Sequence, residues 1–463
     1  MLTVLIIVPI LYTGRSSSCL GGFERLQEAC SSSAFHNSGD QYDPPKCHPN
    51  TRVAVIQTIM NLLSAHNRNS SLVWLTGAAG AGKSAISNTI AERCDEEGRL
   101  LASFFFGLTD PSRNNVRMFF PTIAYQLCLA LPQMRDSIVA AVERDPLLLR
   151  KSLSVQFNAL VAEPLFYLLN HGMFDARNHP SCIVIDGLDE CIDRKSRCEL
   201  LEILSGATTR LHLPLVFLVA SRPEHDIVTL FESTTLKSIS KRLYLDVRYL
   251  PDRDVELYLR DKFADIKKNH PSSCAIPPQW PSEKNVKNLV SKASGQFIYA
   301  TTVIKYVSST RHNPMRRLER IFSLHSDHKD LPFAELDMLY MHILSGVEDI
   351  ERVLQILGFF RLNDGYWNKD YVLIMLQSNI EDILPLFTDL SCLLEIQLFS
   401  NGSTECMFID VLHASFMDFL CDRSRSGKLY LDLSRWKSHY LAVAFGQLSR
   451  ELFPSLYHIK MHP

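Results

Sequence analysis

The sequence has no surplus of either charge: 48 Lys and Arg stand against 50 Asp and Glu, for a net charge of -2. A protein that works mainly by neutralising nucleic-acid phosphates needs a basic excess, so that role is disfavoured. The 12 cysteines include no C-x-x-C pair, which argues against a zinc site. Several of them fall on apolar stripes, where a reduced thiol behaves as a small hydrophobe. A reducing cytosol suits that usage better than a disulfide framework. No internal repeat of about 20 to 50 residues is present. The apolar start, Met1 to Tyr12, is too short to span a bilayer as a helix. It has the character of the apolar region of a secretion signal, but no Lys or Arg precedes it and Arg15 is the first positive charge.

What is present is a chain of 463 residues with 46% hydrophobic and 21% charged content, ordinary for globular protein. That length exceeds one compact core and implies two or three domains. The organising stretch is Leu72-Val73-Trp74-Leu75-Thr76 followed by Gly77-Ala78-Ala79-Gly80-Ala81-Gly82-Lys83-Ser84. A strand-like apolar run leads into G-x-x-x-x-G-K-S, and Ile86, Ile90 and Cys94 then recur at helical spacing. Strand, glycine loop and helix in that order make a phosphate site. Gly77, Gly80 and Gly82 let the backbone curl its N–H groups inward. The helix start adds its dipole. Lys83 supplies a cation for β- and γ-phosphates, and the Ser84 hydroxyl is placed to ligate Mg²⁺.

Taken in order, residues 15–50 are rich in Ser, Gly, Pro and Cys and read as a loosely ordered lead-in. An amphipathic helix is expected from Thr51 to His66, with Val55, Ile59, Leu62 and Leu63 on one face. Buried strands are expected at Leu100 to Phe106, Cys182 to Ile185 and Leu215 to Ala220, with a fifth at Leu243 to Leu245. Helices are expected at Met118 to Leu131, Met134 to Glu143, Val155 to Asn170 and Cys198 to Arg210. Alternation of continuous apolar strands with helices indicates a parallel sheet covered on both faces, with ligand sites at the carboxyl ends of its strands. Beyond Leu250 the stripes Val255, Leu259, Phe263 and Phe297, Ala300, Ile304, Val307 and Ile350, Val353, Leu354, Leu357 indicate a helical bundle. The runs Leu393 to Phe399 and Cys406 to Ile409, joined by Asn401-Gly402, read as a hairpin.

Three charged positions fall just past strand ends. Asp186 follows its strand as an Mg²⁺-organising carboxylate would, and Glu190 or Asp189 is placed to orient water. A helix cap is the plainer role for any of the three. Arg222 could reach a γ-phosphate; the alternative is a surface arginine.

The set GAAGAGKS, IVIDGLDEC and LVASRPE resembles the NACHT-type signal-transduction ATPases, a branch of the STAND class. Within it the sequence looks like fungal proteins with a nephrocystin-three-like N-terminal domain. AFHNSGDQYDPPKCHPNTR, PTIAYQL, SVQFNALVAEPL and ASGQFIYATTVIKYV look like that group too, so the resemblance covers roughly Ala34 to Gly427. It implies Gly77 to Ser84, together with Ala85, on the phosphates of ADP or ATP, Ser84 and Asp186 on Mg²⁺, Glu190 or Asp189 near the attacking water, and Arg222 as sensor. It also implies that His413, flanking the core stripe Leu412, Phe416, Phe419 and Leu420, contacts the β-phosphate; a His packed at a helix start is the other reading.

The expected fold class is an α/β P-loop NTPase followed by a helical domain and a winged-helix-like domain. The expected boundaries are 1–50 lead-in, 51–248 NTPase, 249–362 helical, 363–430 winged-helix-like and 431–463 helical tail. Relatives usually carry an N-terminal effector and C-terminal repeats; the chain stops at Pro463, so a fragment, a truncated gene model or a minimal switch is expected. The expected function is a cytosolic switch that binds ADP or ATP with Mg²⁺, hydrolyses ATP slowly, and couples nucleotide state to self-association, with protein partners and with no nucleic acid or membrane. A metabolic phosphotransferase and a non-catalytic scaffold are the rivals. Nucleic-acid binding through the winged helix is a third, but residues 410–421 contain no Lys or Arg. The base, adenine or guanine, stays open.

Overall fold

The computed structural model describes residues 21–39, 45–63, 71–108, 110–175, 181–245, 249, 251–323, 333–363, 367–388, 390, 392–401, 404–411 and 413–452. The apolar first twelve residues, His66, Gly402, Leu412 and the tail beyond 452 lie outside the described residues.

The apolar runs form five strands: β1 (Leu72–Thr76), β2 (Leu100–Phe105), β3 (Cys182–Asp186), β4 (Val216–Ser221) and β5 (Ser240–Tyr244). They pair parallel in the order β2-β3-β4-β1-β5. In β1, β3 and β4 successive residues face opposite cores. Leu72 and Trp74 join Phe104, Ile185 and Phe217 under the helices on one face. Val73 and Leu75 join Val184, Leu218 and the helices Val53–Leu63 and Lys83–Glu96 on the other. Two buried faces are why these strands read as unbroken apolar runs. In the middle of β1, Trp74 stacks on Phe231 with centroids 4.1 Å apart and donates Nε1–H to Ser221 Oγ at 2.9 Å.

Elements differ from expectation where polar chemistry outweighs apolar pattern. β5 begins at Ser240, because it is an edge strand whose Lys241 and Arg242 face water and break the apolar run. The helix expected from Cys198 begins at Arg194, where Asp193 accepts the Lys195 N–H as its cap. The expected Val155 to Asn170 helix is interrupted by a wider turn at Asn158–Ala162, just before Pro164, which has no N–H to continue the ladder. The lead-in is more regular than its composition suggested. Gly22–Glu28 is helical with Leu26 fully buried, and the hydroxyls find partners: Ser31 N–H donates to Thr122 Oγ1 (2.9 Å) and Ser33 Oγ to Asp110 Oδ2 (2.7 Å).

Among the described residues six helices follow the sheet, Pro251–Asn269, Glu283–Ala293, Phe297–Val307, Pro314–Ser323, Ala334–Ser345 and Ile350–Leu362. A small antiparallel sheet follows, ordered β6 (Trp367–Asn368), β8 (Thr404–Val411), β7 (Leu394–Asn401), with Lys369–Leu376 and Ile380–Thr388 between its strands. Asn401 pairs with Thr404 at the tip of the expected hairpin. Ala414–Leu420 and Leu433–Leu452 complete it. One apolar core runs through this half from Val255 to Val443 and includes Phe416, Phe419 and Leu420. The fold is an α/β P-loop NTPase sheet with helices on both faces, followed by a mainly helical part. Among the described residues no helix is long and apolar enough to cross a membrane.

Candidate functional site

The carboxyl ends of β1, β3 and β4 open into a cavity of about 820 Å³. Sheet order decides who meets whom there. β4 lies between β1 and β3, so Arg222, one residue past β4, sits between Lys83 and the acids that follow β3. Ala79, Gly80, Gly82, Lys83, Ser84, Ala85, Asp186, Asp189, Glu190, Arg222 and His413 all line the cavity. Gly77, Ala78 and Ala81 lie outside the lining and serve the loop itself. Lys83 Nζ donates to the Gly77 and Ala78 carbonyls at 3.0 and 2.9 Å. The Ala81 carbonyl accepts from the buried Arg52 guanidinium at 2.8 Å.

Gly80 and Gly82 have φ of +73° and +91°, a region where a side chain is strained. At Gly80 there is no room either: a Cβ would stand 2.2 Å from Ile298 Cγ2 of the Phe297–Val307 helix. The tip of the loop is thus closed by the helical half of the molecule. Gly82 caps the Lys83–Glu96 helix, which aims free N–H groups and a positive dipole end into the cavity.

The acids divide by environment. Burial pushes the Asp186 carboxyl up to about 6, against the Ser84 and Ser87 hydroxyls and the Lys83 charge that draw it down. Its Oδ1 is buried without a hydrogen-bond partner, an arrangement that suits a cation ligand. With the Ser84 hydroxyl beside it, the donor set is hard oxygen, as Mg²⁺ prefers. Among the described residues no group of three or more His, Cys, Asp or Glu could hold a metal, so phosphate oxygens would have to complete such a shell. Glu190 is raised to about 7, by burial and then by the Asp189 charge; its Oε2 accepts the Leu108 N–H at 3.0 Å. Asp189 is committed elsewhere. Its carboxylate takes the Arg222 backbone N–H at 2.9 Å and the Arg222 Nε at 3.2 Å.

Two cross-chain contacts close the far wall. Arg222 Nη1 donates to Asp418 Oδ2 at 2.5 Å. His413 caps Ala414–Leu420: its Nδ1 accepts the Ser415 N–H (3.1 Å) and bonds Ser415 Oγ (2.7 Å), which in turn bonds Tyr340 O–H (2.8 Å). Burial, with Arg222 and Lys83 nearby, pushes the imidazole down to about 3, so it is neutral. With Nδ1 accepting, the proton resides on Nε2. The ring's Cε1 lies 3.9 Å from where a Gly80 Cβ would be. His413 therefore caps the helix through one nitrogen, as the plainer reading has it, and its ring also lines the cavity. Sequence reading missed Asp418, Arg52, Ile298 and Tyr340. Arg52 and Ile298 lie within stretches that carry the resemblance but had no role given to them, and a lone Asp on a helix carries no signal until the fold sets it beside Arg222.

Residues 56–222, from the helix before the phosphate loop to Arg222 itself, match the family described as Nephrocystin 3, N-terminal. No curated protein matches the chain. Among solved structures, that of Drosophila ORC bound to DNA is 12% identical with a TM-score of 0.32, covering 83% of this chain and 95% of its own. Cdc6p from Pyrobaculum aerophilum is also 12% identical, with a TM-score of 0.39, 84% of this chain and 96% of its own. Likeness at that level does not extend to what those proteins bind. The stretch that is similar to that family takes in the phosphate loop, Asp186, Asp189, Glu190 and Arg222.

Proposed function

We propose that the chain is a nucleotide-dependent switch of the STAND type, binding ADP or ATP with Mg²⁺ and hydrolysing ATP slowly. The observation that carries this reading is the make-up of the cavity wall. The phosphate loop comes from the sheet, while Ile298 and His413 come from the helical half and meet the loop at Gly80. An ordinary phosphotransferase needs an open acceptor face on that side; here the site is roofed by the chain's own C-terminal part, so nucleotide and domain arrangement are coupled. Self-association on opening, protein partners, a cytosolic setting and a role in fungal innate-immunity or incompatibility signalling belong to the same reading. Ala414–Leu420 packs into the core as the last helix of a winged-helix-like module, with no base-reading role.

Within the site, Lys83, the loop N–H groups and the helix start would hold phosphates, and Ser84 and Asp186 the Mg²⁺ that screens their charge. Glu190 is the better base. It is held by a single N–H, whereas Asp189 spends both oxygens on Arg222. Arg222 would read the terminal phosphate. The test is direct. Nucleotide extracted from the purified chain is expected to be ADP or ATP, and Lys83→Ala is expected to weaken Mg²⁺-nucleotide binding by about 2 kcal/mol or more, roughly 30-fold. Equal affinity of Lys83→Ala and parent by calorimetry would show that the loop is not the site.

A further inference from the structure

We propose that Asp418 sets the nucleotide preference of the closed arrangement, favouring a diphosphate over a triphosphate by neutralising Arg222 from the C-terminal half. The inference rests on the switch reading above and adds to it a residue that selects between its two ligands.

Arg222 is held by two carboxylates of different origin. Asp189, with its side chain 6% exposed, belongs to the same sheet-end cluster and takes both the backbone N–H and Nε. Asp418, 36% exposed, belongs to Ala414–Leu420 and takes Nη1 at 2.5 Å across 196 residues of sequence. The first contact orients the guanidinium within the sheet. The second is available only while the C-terminal half is in place.

A guanidinium facing two carboxylates has little positive field left for a third anion. The wider cavity is cationic, with Lys46, Arg52, Arg113, Lys262 and Lys305 in its lining besides Lys83, so what Asp418 withholds is the local field of Arg222, through their direct contact. A terminal phosphate entering beside Arg222 brings negative charge toward Asp418 and competes with it for the same donors. A diphosphate, which ends one group earlier, leaves the pair intact. Closure and triphosphate are therefore mutually unfavourable, and by linkage a triphosphate that takes Arg222 weakens the hold on the Asp418 helix.

The experiment compares ADP and a slowly hydrolysed ATP analogue, ATPγS, both with Mg²⁺, on the full chain by calorimetry. In Asp418→Asn the affinity for ATPγS relative to ADP is expected to rise about 10-fold, while Asp418→Glu, which keeps the charge, stays near the parent ratio. A parent and an Asp418→Asn variant that bind both ligands with the same ratio would overturn the inference and leave the switch reading standing. A variant that loses both nucleotides alike and melts lower would show a purely structural tie and also overturn it. A parent that binds neither nucleotide removes the switch reading and this inference with it.

Discussion

At the scale of single residues the site is a set of charges held against their ordinary preferences. Asp186 and Glu190 sit at about 6 and about 7 because burial disfavours their charged forms. The folded chain thus keeps protons that the unfolded chain releases near 4 to 4.5, and it binds more protons than the unfolded chain from there up to about 6 for Asp186 and about 7 for Glu190. Stability of the ligand-free protein from this pair is accordingly greatest at low pH and declines as pH rises through about 4 to 7. For Glu190 the displacement from 4.5 to about 7 corresponds to at most roughly 3 kcal/mol. Glu190→Gln, which cannot ionise, is expected to melt above the parent at pH 8 and level with it at pH 4, while ATP hydrolysis falls and Mg²⁺-nucleotide affinity stays near the parent. Melting curves at the two pH values check the first part. A parent and variant that differ equally at both would mean Glu190 is not held protonated. Loss of hydrolysis in Asp189→Asn but not in Glu190→Gln would move the base one residue back.

At the scale of elements, much was legible because apolar period and loop chemistry are local. Ile86, Ile90 and Cys94 are buried on one face of Lys83–Glu96 as their spacing indicates, and Asp186, Asp189, Glu190 and Arg222 gather in one cavity because each follows a readable strand. What stayed hidden depends on partners far along the chain. The hydroxyl-rich stretch around Ser31 and Ser33 looks loose until Thr122 and Asp110 are beside it. β5 hides its start because an edge strand has one wet side. Gly80 shows both kinds of information at once: the motif demands a glycine for the turn, while the need for space comes from Ile298, more than 200 residues on. Gly80→Ala is expected to cost about 2 kcal/mol or more, from the left-handed backbone and from the Ile298 contact together. In the Gly80→Ala/Ile298→Ala double variant the steric part should disappear. Calorimetric melting of the four proteins in the cycle would show a favourable coupling; strict additivity would mean the helix does not press on the loop.

At the scale of the molecule, two cores meet over one site. The sheet's faces are closed by their own helices, and the C-terminal half has a single core from Val255 to Val443. Contacts that join the halves around the cavity include Arg222 with Asp418, His48 with Asp261 and Arg52 over the Phe297 ring, so substitutions there should change how the halves are joined more than whether each folds. His413 tests this. His413→Asn keeps an acceptor that can cap Ala414–Leu420 but shortens the reach into the cavity. It is expected to melt within a few degrees of the parent while releasing ADP about 10-fold faster and populating larger assemblies. Stopped-flow displacement of ADP, with light scattering on the same sample, measures both. An Asn variant that melts far lower yet holds ADP as tightly as the parent would leave His413 with the cap alone.

The placement of Trp74 gives the molecule a built-in optical label. Of the four tryptophans, Trp280, Trp367 and Trp436 belong to the C-terminal half, and Trp74 alone lies in the sheet, on the strand that feeds the phosphate loop. It is 1% exposed, stacked on Phe231 and covered on its ring by Arg242 at 4.5 Å. Its emission is therefore that of a shielded indole. A variant retaining Trp74, with the other three replaced by Phe, would let the fluorescence of one half be followed while the other comes away, so separation of the halves and melting of the sheet would register as two events in a single cuvette.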